Sequence, residues 1–173
     1  MTGREDRVQT RLAGIPVSGV SIAGHETWFH FPTLGFVASE RRHRLVPSWR
    51  GRSAADIREA TARGEAVSES WTSPLVAFCG DTSAEIFPTA PGEVFRAKVL
   101  LLECSFLEDE HKDRANGWGH LHLSEIAERA DLFQNEVLVL THLTLRTGPA
   151  EIRRLLSERL PAGLAARTIP FLP

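Results

Sequence analysis

Three short apolar runs set the limits of this chain. LVAFC at 75–79, VLLLE at 99–103 and VLVLT at 137–141 carry apolar side chains on both faces of an extended segment. A strand apolar on both sides belongs inside a covered sheet. Between the runs lie stretches with helical spacing. In LHLSEIAERADLF, Leu123, Ile126, Ala127 and Ala130 recur at i, i+3, i+4 and i+7. In GPAEIRRLLSERLP, Pro149 suits the first helical position, and Ile152, Leu155, Leu156 and Leu160 form the buried stripe. GLAARTIPFL reads as a last strand. Strands alternating with helices predict an α/β protein whose sheet is covered by helices.

The first part of the chain is built differently. Residues 11–38 break into short apolar runs punctuated by Gly and Pro, the pattern of hairpins or a meander. A short surface helix is expected over 54–63. Ser53 is its N-cap, Asp56 takes the third helical position, and Gly64 stands where a left-handed C-terminal cap would go. The length, 173 residues, suits one domain, 1–173. A net charge of −2 gives no global attraction to nucleic acid or membrane, although a local patch still can. No apolar run approaches the ~20 residues of a spanning helix. MTGREDRVQTR is polar and lacks the apolar centre of a secretory leader, so a cytoplasmic protein is expected. Cys79 and Cys104 lie in apolar runs and read as reduced core thiols.

Each apolar run delivers a polar group at its end: Asp81 in Gly80-Asp81-Thr82, Glu103, and His142. An unpaired charge at a buried strand end is costly, so each group needs a partner. In layered α/β folds the strand C-termini and the loops after them build the site. Taken alone, Asp81 reads as a cap for the turn that follows or as a metal ligand, and His142 as a hydrogen-bonded core histidine or a ligand. Glu103 reads as a structural hydrogen-bonded acid or a catalytic one. His120 and His122 form the one His-x-His in the chain; they read as local hydrogen-bonding residues or as a metal pair. SERRHRLVPSWRGR carries Arg41, Arg42, Arg44, Arg50 and Arg52 with Trp49. It reads as solvated surface or as a phosphate- and base-contacting patch. EDEHKDR at 108–114 reads as a solvated loop, and His25 and His30 sit in the expected hairpin with no assigned partner.

The order LVAFCGDT, VLLLECSF, GWGHLHLSEIAERADLF and EVLVLTHLTLR resembles the second half of a metallo-β-lactamase-fold protein of the ribonuclease Z type. The resemblance implies that Asp81, in its Gly-Asp-Thr turn, bridges zinc ions, and that His142, in its Thr-His strand end, ligates them. It implies that Glu103 and His120 cooperate in proton transfer at a scissile phosphate. The opening GVSIAGHETWFHFPTLG resembles the family's first hairpin, and GFVASERRHR the strand before its helix-containing insert. The family's His-x-His-x-Asp-His signature is absent.

The implied fold is an incomplete αββα sandwich with a mixed sheet, residues 1–40 giving the N-terminal hairpin and strands and 74–173 the second-half βαβ region. A sheet lacking its partner sheet exposes apolar surface, which predicts a homodimer or a partner chain. The implied activity is that of a zinc-dependent phosphodiesterase of RNA-processing type, weak or absent in this chain alone. RNA or another phosphodiester would meet Arg41, Arg42 and Arg44. The alternatives are a non-catalytic interaction or scaffold module, and an enzyme completed by another polypeptide that supplies the missing histidines.

Overall fold

A computed structural model describes residues 20–27, 33–144 and 146–172. Residues 1–19 and the expected hairpin turn with His30 lie outside them. The elements run in the order β1 (Val20–Thr27), β2 (Thr33–Leu45), α1 (Ala54–Ala62), β3 (Ser68–Phe78), α2 (Ile86–Thr89), α3 (Gly92–Arg96), β4 (Val99–Glu103), α4 (Lys112–Trp118), α5 (Leu123–Glu128), β5 (Val137–Thr141), α6 (Pro149–Arg159), α7 (Ala162–Ala165) and β6 (Thr168–Pro170). The strands form one six-stranded sheet in sequence order, antiparallel from β1 to β3 and parallel from β3 to β6.

That order decides where the helices go. Crossovers between parallel strands are almost always right-handed, so a strand order that never reverses puts every crossover helix on the same face. Buried apolar strand positions accordingly share one parity: Val37, Ala77, Leu100, Leu102, Leu138 and Leu140. They form a single core with helical residues including Ile86, Phe95, Ile126, Ile152, Leu155 and Leu164. Fully burying each such leucine contributes about 1.5–3 kcal/mol. Phe87, Phe95 and Phe133 close one end of the core, Phe133 edge-on to the other two.

The opposite parity is not sealed. Phe36 and Phe78, opposed across β2 and β3, are each 41% exposed, and Ile169 on β6 is 53% exposed. Val99, Leu101, Val137 and Val139 between them are half-buried. The result is one sheet with one helical layer, half of an αββα sandwich. Among the described residues the both-sided apolar strands thus have a helix layer on one side only.

Local expectations fare unevenly. Ser53 and Asp56 make a reciprocal capping box at α1, and Gly64 has a φ of 79°. Pro149 opens α6, which buries Ile152, Leu155 and Leu156. The solvated loop expected over 108–114 is instead a 3-10 turn, Asp109–His111, leading into α4. Helix α5 stops earlier than its periodicity suggests: Arg129 leaves helical geometry and a 3-10 turn, Ala130–Leu132, follows. The final stretch is α7 followed by a short strand rather than strand throughout. Cys79 and Cys104 are free and buried. Among the described residues no helix is long and apolar enough to cross a membrane.

Candidate metal centre

The C-terminal ends of β3, β4 and β5 meet the turn between α4 and α5. Their ladders continue one residue past the strands, Cys79 N–H bonding Leu101 O and Cys104 N–H bonding Thr141 O. This holds the three departing loops side by side. Gly119, with a φ of 72°, turns the chain sharply after α4, a conformation that favours glycine, and His120 follows directly. His120 N–H bonds back to Ala115 O, and Phe106 exchanges backbone hydrogen bonds with Leu121 and Leu123.

Glu103 is the anchor of this junction. It is 1% exposed. Its Oε1 accepts from Thr82 N–H at 3.3 Å, Leu121 N–H at 3.0 Å and His120 Nδ1 at 2.9 Å. Its Oε2 accepts from Ser105 N–H at 2.9 Å and Ser105 Oγ at 3.1 Å. A carboxylate has about four lone-pair sites, so these donors saturate it. The acid at the end of a buried strand is stabilised by three converging loops, and no lone pair is left for a metal.

Asp81 and His142 face each other above it. Asp81 Oδ1 is 3.4 Å from His142 Nδ1. Both side chains are about half exposed, so the mouth of the site is open. His142 has a φ of 55°, in the left-handed region that few residues other than glycine enter and that asparagine, aspartate and histidine enter more often than the rest. The rings of His120 and His142 lie 5.0 Å apart. Ligand atoms of Asp81, His120 and His142 all fall within 4.8 Å of one another. One carboxylate and two imidazoles suit zinc, and three protein donors match a site that keeps a position open. The chemistry of the donor set therefore fits one cation.

His120 is held above the ordinary imidazole range. Its hydrogen bond to Glu103 is the main cause; burial opposes it, and the charges of Glu103 and Asp81 reinforce it. The nearby thiols take no part. Burial pushes Cys79 up to about 12, and burial beside Glu103 and Glu125 holds Cys104 well above its usual value, so neither offers a thiolate.

All four singled-out residues, Asp81, Glu103, His120 and His142, therefore share one site. Asp81 does not cap a helix; α2 begins after Glu85. His122 turns away. It is fully buried and caps α5, its Nδ1 accepting from Ser124 N–H while its Nε2 donates to Glu108 O. Ser105, which the sequence reading passed over, lies 3.3 Å from His120 Nδ1 and 3.0 Å from His142 Nδ1 through its Oγ. Its signal was its place two residues after Glu103.

The arginines lie elsewhere. Arg42 stands opposite Trp71 and Arg44 opposite Glu69, at the far end of the β2–β3 ribbon from Phe78. At ~3.3 Å per residue this is roughly 20–30 Å from the strand end that leads to Asp81. Arg44 bonds Glu69 at 2.6 Å and stacks over Trp71, and Arg42 bonds Glu40 at 2.6 Å.

No family model matches the chain. It is 29% identical over 150 residues to tRNase Z TRZ1 of Arabidopsis thaliana, a match covering 86% of this chain and 53% of that protein. It is 30% identical over 142 residues to the chloroplastic tRNase Z TRZ2 of the same plant, covering 81% of this chain and 40% of that protein. The chain thus spans about half the length of the curated relatives it matches. Among solved structures, the metallo-beta-lactamase fold protein YhfI from Bacillus subtilis aligns with a TM-score of 0.50 at 14% identity, over 90% of this chain and 48% of that one. With its half-sandwich, its ordered strand-end motifs and these alignments, the chain has the metallo-β-lactamase fold and is similar to the ribonuclease Z-like branch of it.

Proposed function

We propose that this chain is the metal-holding half of a zinc-dependent phosphodiesterase acting on RNA, with little activity as a lone polypeptide. The observation that carries the reading is the convergence of Asp81, His120 and His142 within 4.8 Å beside the anchored Glu103. The similarity to proteins named tRNase Z supports RNA, and tRNA in particular, as the substrate class.

Asp81 and His142 are the ligands we assign. Zinc, if held there, would supply Lewis acidity toward a phosphoryl oxygen and toward water. His120 has two uses. Its Nδ1 proton is committed to Glu103, leaving Nε2 either to complete a three-donor set or to carry a proton to the leaving oxygen. The raised pKa of His120 suits the second use and the donor count suits the first. One nitrogen cannot do both at once. His120→Ala abolishes zinc binding in the first case and only turnover in the second.

Little activity alone follows from the donor count, since two zinc ions need more ligands than three. The half-exposed apolar face, with Phe36, Phe78 and Ile169, is the surface on which a second copy or a partner chain would seat. Arg41, Arg42 and Arg44 would reach an RNA body well away from the scissile bond. A second reading, an interaction module without catalysis, is favoured by the same open face.

The experiment is metal analysis of the purified chain with an RNA cleavage assay. Stoichiometric zinc lost in Asp81→Ala, with cleavage that rises on adding a partner, supports the hydrolase. A chain that takes up no zinc and cleaves nothing under any pairing leaves the interaction module.

A further inference from the structure

We propose that the Ser105 hydroxyl is a positioning residue that fixes the tautomer of His142 and joins the Glu103–His120 pair to the Asp81–His142 pair as one hydrogen-bonded unit; its metal arm rests on the zinc reading above. His120 Nδ1 lies 2.9 Å from Glu103 Oε1, and a carboxylate oxygen only accepts, so that ring carries its proton on Nδ1. Ser105 has one hydroxyl proton. Glu103 Oε2, 3.1 Å away, takes it, because a hydrogen bond onto an anion is stronger than one onto a neutral nitrogen. The hydroxyl then presents only lone pairs to His142 Nδ1 at 3.0 Å.

His142 Nδ1 must therefore donate. Asp81 Oδ1, 3.4 Å from the same nitrogen, draws the proton to the same place. In their neutral forms both imidazoles are thus held with the proton on Nδ1, which makes Nε2 the nitrogen left to meet a cation or a transferable proton. Removing the hydroxyl leaves His120 fixed by Glu103 but leaves His142, on its left-handed backbone and half exposed, with the more distant carboxylate alone.

Ser105 belongs to the second layer of the site. Outer partners of this kind orient metal-ligating histidines, and losing one typically weakens metal binding about 10- to 100-fold. The test uses the full chain, nitrogen-15 labelled. Long-range proton–nitrogen correlation on the metal-free protein reads the tautomers of His120 and His142, and competition with a chromophoric chelator reads zinc affinity. Wild type is expected to hold both rings as Nδ1–H. In Ser105→Ala, His142 shifts toward Nε2–H while His120 does not, and zinc affinity falls by about 10-fold or more. Ser105→Thr, which keeps the hydroxyl, restores the His142 tautomer and the affinity. The proposal is overturned if His142 carries its proton on Nε2 in wild type, or if its tautomer is the same in Ser105→Ala. Failure of the zinc reading is separate: wild type then binds no zinc, while the tautomer shift in the metal-free protein still answers for Ser105.

Discussion

The imidazole of His142 and the carboxylate of Asp81 stand 3.4 Å apart although the strands that deliver them, β3 and β5, are not neighbours. Two strand spacings separate β3 from β5, roughly 10 Å, so both loops must lean over the end of β4. What they lean over is Glu103, whose side chain ties the β3 loop through Thr82 N–H and the loop before α5 through Leu121 N–H. The pair that faces solvent is set by the acid beneath it. This separates two kinds of substitution at the site: those that remove a ligand and those that remove the support.

Removing a ligand should spare the fold. Asp81 and His142 are about half exposed, so water can take the place of either side chain when it is truncated. Asp81→Ala and His142→Ala are expected to unfold at the wild-type midpoint in chelator yet to retain no stoichiometric zinc. Elemental analysis after gel filtration, paired with urea denaturation, checks both halves. Wild-type zinc content in either variant would remove that residue from the ligand set.

Removing the support should do the reverse. In Glu103→Gln one oxygen that accepts hydrogen bonds becomes an amide that donates, and it confronts donors from Thr82, Ser105, His120 or Leu121. Leaving buried donors unsatisfied costs about 1–3 kcal/mol. For a chain of this size each kcal/mol lowers Tm by about 2–4 °C. Thermal melts of metal-free protein should show that loss, with no zinc needed to reveal it.

How much of this was legible depended on whether the determinant was local. The capping of α1 was, because Ser53, Asp56 and Gly64 act within a few residues of one another. That Asp81, Glu103 and His142 each need a partner was legible because each closes an apolar run, whereas which partners they meet was not. The role of Ser105 was not, since it follows from loops meeting in space, and the backbone N–H groups of Thr82 and Leu121 that hold Glu103 leave no trace in side-chain identity. In the arginine run the strand was legible only through the resemblance of GFVASERRHR to a family strand. Residues 41–44 of β2 are exposed on both faces, so no apolar alternation marks them, and pairing with 69–72 of β3 holds them extended. Helix α4 was missed for a similar reason: its buried anchor is Ala115, too little for a stripe.

The Glu103–His120 bond also makes stability depend on pH. His120 sits above its unfolded value of about 6.5, because the folded state prefers the protonated ring. A raised pKa contributes stability that is fully present below the unfolded value and is lost as pH rises through the folded one. Metal-free protein should therefore be more resistant to urea on the acid side of neutrality than on the alkaline side. The slope should disappear in His120→Gln. Denaturation midpoints across that interval, wild type against variant, decide it; an equal slope in both assigns the effect to another group.

The crossover helices leave one face of the sheet open. Phe78 and Ile169 sit on β3 and β6, separated by Leu101 and Val139 at the same register, so the two exposed side chains bound one continuous apolar strip. Monomers seldom keep such a patch wet, and sheet-on-sheet packing about 10 Å apart is the ordinary way to cover it. The chain is expected to self-associate or to capture a partner through this strip. Phe78→Ser combined with Ile169→Lys should leave Tm close to wild type, since both side chains are 41% or more exposed, while lowering the mass seen by light scattering to that of one chain. A wild-type chain already monomeric at high concentration would rule out self-association and leave a partner chain as the occupant. A double variant that keeps the assembled mass would place the contact elsewhere on the molecule.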